Sequence, residues 1–506
     1  MGLSSDARAS AVAVAAAAAL GLSAESCAVM PRGDCGELAM CAPPDASMAG
    51  GESAASGSTS TSTRTGASGS TSTSSSAGGS SIAVAPPDAS VDGTTMIEDG
   101  ATAGGQPPAY DATAGSEGSD AAVDPYACDA GGCNTSCAAD ADCTSGYFCW
   151  EAECVKVAQI GAGNEDTCAL TTAGGVQCWG YNYAGELGND SKNDSYLPVA
   201  VTGLSSGISA ISVGRDHTCA LTTEGGVECW GNLGYYQSDE SPVPVVVAGL
   251  SSGVSAISAG EDYTCALTTS GAVQCWGYNY YGELGNNSTN ASYGVPVAVT
   301  GLSSGVSAIA AGESHACALM TAGGVQCWGD GLDGDLGNGL TAQSDTPVAV
   351  ASLSSDISAI AAGGAHTCAL TTSGGVQCWG DNQYGQLGND STINSSLPVP
   401  VMGLSSGVSA IAAGLYHTCA LTMSGGVLCW GDNEVGELGN ESTTNSSVPA
   451  AVMGLSSRVT AIAAGFYHTC ALTTSGGVEC WGINSHGELG NNSTINAFAP
   501  TAVVEP

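Results

Sequence analysis

The stretch "HTCALTTSGGVQCWG", residues 366–380, returns with small changes seven times between residue 155 and the C-terminus. Its two cysteines flank "TTSGG", whose glycines supply the positive φ that a tight hairpin needs. Side chains alternate along a strand, so pairing Cys368 opposite Cys378 also pairs Leu370 opposite Val376. Opposed residues of a non-hydrogen-bonded pair lie about 4.5 Å apart at Cα, inside disulfide range. Trp379 then lies on the other face of the sheet, free to pack on a neighbouring one.

The first cysteines of the copies are Cys168, Cys219, Cys265, Cys317, Cys368, Cys419 and Cys470, spaced by 51, 46, 52, 51, 51 and 51 residues. Their partners are Cys178, Cys229, Cys275, Cys327, Cys378, Cys429 and Cys480. A period near fifty means a propeller or a solenoid. One unit, "LPVPVMGLSSGVSAIAAGLYHTCALTMSGGVLCWGDNEVGELGNES" (397–442), offers four short strands, "PVPVM", "VSAIAAG", "HTCALT" and "VLCWG", and no helical period. Four antiparallel strands make a blade, so the fold class is all-β, a seven-bladed β-propeller over 155–506. The chain enters at "KVAQIGAG", without a "PVPV" strand, and ends in "APTAVVEP". This predicts a ring closed by one blade built from both termini.

Zinc and free thiols compete with disulfides, because His366 shares a face with Cys368. However, the His position is Asp166 in the first copy and Tyr263 in the third, while both cysteines stay in all seven. His217, His315, His366, His417 and His468 are expected to hydrogen-bond the adjacent blade, with a functional histidine ring as the alternative.

Upstream, residues 1–27 carry the apolar run "ASAVAVAAAAALGL" ahead of Cys27, the pattern of an export signal with Cys27 a candidate lipidation site. Residues 28–127 are Ser-, Thr-, Gly- and Ala-rich and predict a disordered linker. Residues 128–154 hold Cys128, Cys133, Cys137, Cys143, Cys149 and Cys154, the density of a small disulfide module. Twenty-three cysteines at regular spacing point to an oxidising compartment. The expected location is the cell surface, the outer membrane as a lipoprotein, or the medium. With 7 basic against 47 acidic residues and a net charge of -40, the chain has no basic patch for nucleic acid. Membrane contact is expected only through a lipid on Cys27.

The pattern "AAG..HTCALT.SGGV.CWG.N..GELGN", with "GQLGN" at 385–389, resembles the repeat of the regulator-of-chromosome-condensation family of seven-bladed propellers. The second copy departs from it, reading "GNLGYYQSDESP" after Trp230. The resemblance implies either of two roles. The eukaryotic namesake exchanges guanine nucleotide on a small nuclear GTPase and docks on chromatin. Bacterial members bind and inhibit β-lactamases through one propeller face. This chain has an export-like start and no basic tail, and its spacing leaves no room for a wedge between repeats, so a non-catalytic protein-binding scaffold fits it better. The alternatives are the exchange factor and a carbohydrate-binding or hydrolytic propeller.

Positions that differ between copies mark the expected binding surface. Before each second strand the pairs run Asn164-Glu165, Arg215-Asp216, Glu261-Asp262, Glu313-Ser314, Gly364-Ala365, Leu415-Tyr416 and Phe466-Tyr467. The partner-binding candidates among them are Leu415, Tyr416, Phe466 and Tyr467. A second set follows the Trp-Gly: Tyr181, Tyr183, Tyr235, Tyr236, Tyr278, Tyr280 and Tyr281. Packing between blades is the competing role for these aromatics. No nucleophile elbow, metal triad or phosphate loop is present, so neither a catalytic residue nor a cofactor is expected. The expected partner is a protein, met by a monomer.

Overall fold

The computed structural model describes residues 148–150, 153–234 and 240–504. It contains seven four-stranded antiparallel sheets, and no helix among the described residues. The blades span 157–200, 208–246, 254–298, 306–349, 357–400, 408–451 and 459–502. In blade 5 the strands are Ile357–Ala362, His366–Thr371, Val376–Gly380 and Ser395–Pro400, hydrogen-bonded in chain order.

The central hairpin has the register its alternation predicts: Cys368 opposite Cys378 and Leu370 opposite Val376. All seven pairs are disulfide-bonded, with Cα atoms 4.0 to 4.1 Å apart, which removes the zinc and free-thiol alternatives. The turn closes through Thr371, whose hydroxyl bonds both the N–H and the C=O of Gly375, while Gly374 takes φ +81°.

The expectation of a blade shared by both termini is corrected. Ala497–Ala502 pairs with Val478–Gly482 of its own seventh blade, and Ser195–Ala200 completes the first. The "PVPV" strand therefore ends a blade instead of starting one. The ring closes by blade-to-blade contact. Phe466 N–H donates to Gly163 C=O at 2.9 Å, and Trp179 of blade 1 packs on Cys470, Leu472 and Cys480 of blade 7.

That packing is the rule at every seam. Cys368, Leu370, Val376 and Cys378 face blade 6 and meet Trp430, whereas Ala369 and Trp379 face blade 4 and meet Cys317 and Leu319. Each blade thus lays its disulfide against the next blade's tryptophan. The two periods of one hairpin supply both faces.

Of the amino-terminal assignments, residues 1–27, with Cys27, and the linker 28–127 lie outside the described residues, as do Cys128, Cys133, Cys137 and Cys143. Within the small module, Phe148–Trp150 pairs with Glu153–Val155, with Cys149 opposite Cys154.

Candidate protein-binding face

In blade 5 the first strand ends at Ala362 beside Thr367, and His366 pairs with Gly380 at the end of the third strand. The first turn and the loop after Trp-Gly therefore leave from the same end of every blade, so both variable sets lie on one face. The opposite face carries the Thr-Ser-Gly-Gly turns and the Gly-Leu-Ser-Ser loops, joined by bonds such as Val408 N–H to Gly374 C=O.

A buried asparagine builds five of the long loops; blade 4 has Gly331 at that position. Asn382 Nδ2 donates to Asn389 Oδ1, Ser391 C=O and Ile393 C=O, and its Oδ1 accepts from Leu387 N–H at 2.9 Å. Asn182, Asn279, Asn433 and Asn484 do the same. The folded loop then plugs the next seam. Leu387 is fully buried, and the Gln386 carbonyl accepts from Trp430 Nε1 and Thr418 Oγ1, both at 2.9 Å. Gly388 stands at φ +65°, and a Cβ there would lie 2.7 Å from Trp430 Nε1, so glycine is required twice over. Asn382→Ala would orphan the buried Leu387 N–H and leave the part-buried carbonyls of Ser391 and Ile393 without their donor. We expect a loss of about 3 kcal/mol, measured by urea unfolding. A change under about 1 kcal/mol would mean that the loop holds itself.

The histidines are inter-blade struts. His366 Nε2 bonds Thr418 Oγ1 at 2.9 Å, and His217, His315, His417 and His468 bond the equivalent threonine of their own next blade. Tyr263 replaces His in blade 3 because blade 4 has Ala316 where others have Thr; its hydroxyl reaches past to His315 C=O. Burial lowers all five imidazoles, to about 4 for His217, His315 and His468 and about 3 for His366 and His417. They are neutral at physiological pH.

Among the partner-binding candidates, Leu415 is corrected. It is buried against Gly364, packing between blades. Tyr416 stays partly open, its ring 5.0 Å from Tyr384. Phe466 and Glu313 line the mouth of an axial channel of about 150 Å³ with small-residue walls. Tyr467 is also partly open. In the second set Tyr183 and Tyr280 are 58% and 64% exposed. Tyr181 stacks on Tyr183 and meets His486 edge-on at 4.9 Å, Tyr278 stacks on Tyr280, and Tyr281 meets Tyr280 edge-on. Tyr235 and Tyr236 lie outside the described residues.

The sequence-based set omitted Tyr384 and His486. Their signal was position: Tyr384 occupies in "DNQYGQLG" the place of Tyr281 in "YNYYGELG". Between the aromatics stand Asp330, Asp333, Asp381, Asp432 and Glu434 in the loops and Glu165, Asp216, Glu261, Asp262 and Glu313 in the turns. Arg215, the one cation in those turns, is paired with Glu261 and Asp216. The face is acidic and tyrosine-rich.

A family model described as the RCC1-like domain matches residues 233–505, and two models of the regulator of chromosome condensation (RCC1) repeat match 173–221 and 157–186 with 208–237. The chain is similar to the ultraviolet-B receptor UVR8 of Arabidopsis thaliana, 30% identical over 358 residues, 69% of this chain and 70% of that one. It is also similar to the human E3 ubiquitin-protein ligase HERC2, 32% identical over 359 residues, but these span only 6% of that protein. The yeast RCC1 (Prp20) seen bound to Kap60 shares the fold, at TM-score 0.58 and 23% identity over 69% of this chain and 84% of that one.

Proposed function

Because the chain belongs to the regulator of chromosome condensation (RCC1) repeat family, we propose that it is a non-catalytic scaffold that binds a protein through the acidic, tyrosine-rich face. The observation that carries this is the convergence of both variable sets on one end of an otherwise repeated ring. Exposed tyrosines on a rigid frame give contact area at little entropic cost, and the acids select a basic partner and speed its approach. The seven disulfides, with the apolar amino-terminal run, support an oxidising, extracytoplasmic setting.

A photo-crosslinking residue placed at Tyr183 or Tyr416 tests the face, with Met423 of the opposite face as control. The expected result is a protein adduct from the first two positions, competed by unlabelled propeller and weakened by salt. Adducts from Met423 alone would overturn it. The family's exchange activity is the competing role, and accelerated release of labelled GDP from a small GTPase would put it first.

A further inference from the structure

Six of the seven seams are plugged by a Gly-x-Leu-Gly turn from the preceding blade. Its carbonyl at x accepts the indole N–H of Trp179, Trp230, Trp328, Trp379, Trp430 or Trp481. In five of them a threonine hydroxyl donates to the same carbonyl. The seam between blades 2 and 3 departs. After Trp230 the sequence holds Leu233 where five of the other long loops have the organising asparagine, and no Gly-x-Leu-Gly begins six residues after the tryptophan, as one does in the other six blades.

A cavity of about 190 Å³ opens there, lined by Trp276, Thr264, His217, Leu233, Val245 and Asp262 among others. Trp276 is 6% exposed, against 0 to 1% for the other blade tryptophans. Among the described residues its indole N–H has no acceptor. Thr264 Oγ1 meets His217 Nε2 at 2.7 Å but lacks the carbonyl that its counterparts reach. Leu233 packs against the seam's core only in part, where the six turns bury a leucine completely.

We infer that this notch is a peptide-binding site that accepts a Gly-Glu-Leu-Gly or Gly-Gln-Leu-Gly turn from another polypeptide. The six filled seams specify the ligand: one carbonyl for Trp276 and Thr264, one leucine for the apolar slot, and a glycine that lets the turn approach the indole. The turns of a second folded copy are buried in their own seams, so the donor is a different or unfolded segment. Apart from Asp262 the notch uses none of the residues of the aromatic and acidic face, and it does not rest on that assignment.

The test is titration of the disulfide-intact full chain with an acetylated, amidated peptide containing Gly-Glu-Leu-Gly-Asn, followed by calorimetry and tryptophan fluorescence. We expect saturable one-to-one binding with a dissociation constant below about 1 mM. Replacing the peptide's leucine by alanine should weaken it at least about tenfold. Trp276→Phe keeps the ring but removes the donor, and should weaken binding by about fivefold or more; Thr264→Val serves if that variant does not fold. Replacing residues 233–239 with the blade 5 loop 382–393, which brings in the organising Asn382, should abolish binding and raise the melting temperature. Absence of saturable binding to the intact chain would overturn the site. So would binding that survives both Trp276→Phe and the loop graft.

Discussion

Unfolded in denaturant with excess reductant and then refolded still reduced, the chain should show no cooperative melting transition. Each disulfide joins cysteines separated by 10 residues. Chain-entropy arguments give about 3 kcal/mol for a loop of that size. Seven such bonds sum to on the order of 20 kcal/mol, beyond the roughly 5–15 kcal/mol by which domains are usually stable. The sulfurs are also buried under the next blade's tryptophan. Reductant added to the native protein should therefore act slowly, limited by blade opening, and faster in sub-denaturing urea. Circular dichroism melts with thiol counting by mass check both statements. A reduced chain melting cooperatively within about 10 °C of the oxidised one would show that packing alone suffices.

The disulfides and the hairpin register were legible because they are local. Cys368 and Cys378 are joined by one turn, and strand alternation leaves a single way to pair them. The phase of the blade was not legible. "LPVPV" announces a strand, but its partner, Val376–Gly380 or the following Val408–Ala413, is decided by the loop between, and that loop is folded by Asn382 from within. Leu415 misled for a related reason. Its variability between copies marked it as a surface residue, yet it varies because its neighbour Gly364 has no side chain. The unplugged seam was visible as a spacing of 46 in place of 51 and as the departure "GNLGYYQSDESP" after Trp230. Its meaning depends on what the plug does elsewhere, and that is a contact between blades.

Acid should destabilise this protein through its histidines. The five strut histidines are neutral when folded, lowered by burial to about 3 to 4, and titrate near 6.5 when unfolded. Their contribution is complete above about pH 6.5 and is lost as pH falls toward their folded values. The buried acids of the seam plugs act in the opposite sense. Burial raises Glu186, Glu283 and Glu437 to about 7 and Asp335 to about 9, and it raises Glu488 as well. Their contribution is complete below about pH 4.5 and is lost as pH rises through the folded values. Between about pH 4.5 and 6.5 the five histidines are opposed by these carboxyls and by Asp166, Asp216, Asp262, Glu313, Asp333 and Asp432, which burial also raises, so no net stability should be lost toward acid in this window. Below about pH 4.5 the acids contribute little further and the histidines act largely unopposed, but they also begin to protonate in the folded ring, so the slope reaches no more than about three protons, or about 4 kcal/mol per pH unit. Ordinary loss of ion pairs is too small for this, since few acid–base pairs exist among the described residues. Protonation of surface acids also relieves the charge of -40 and works against unfolding. Calorimetry from pH 3 to 9 should therefore give no loss on acidification to about pH 4.5, an acid limb below it, and an alkaline decline as Glu186, Glu283 and Glu437 ionise through about 7 and Asp335 through about 9. His366→Gln, which can still donate to Thr418, should lower the slope of the acid limb by about one proton. An acid limb that begins at pH 6.5 would mean that the plug carboxyls are ionised in the folded ring, and a slope untouched by the substitution would remove the histidines from the account.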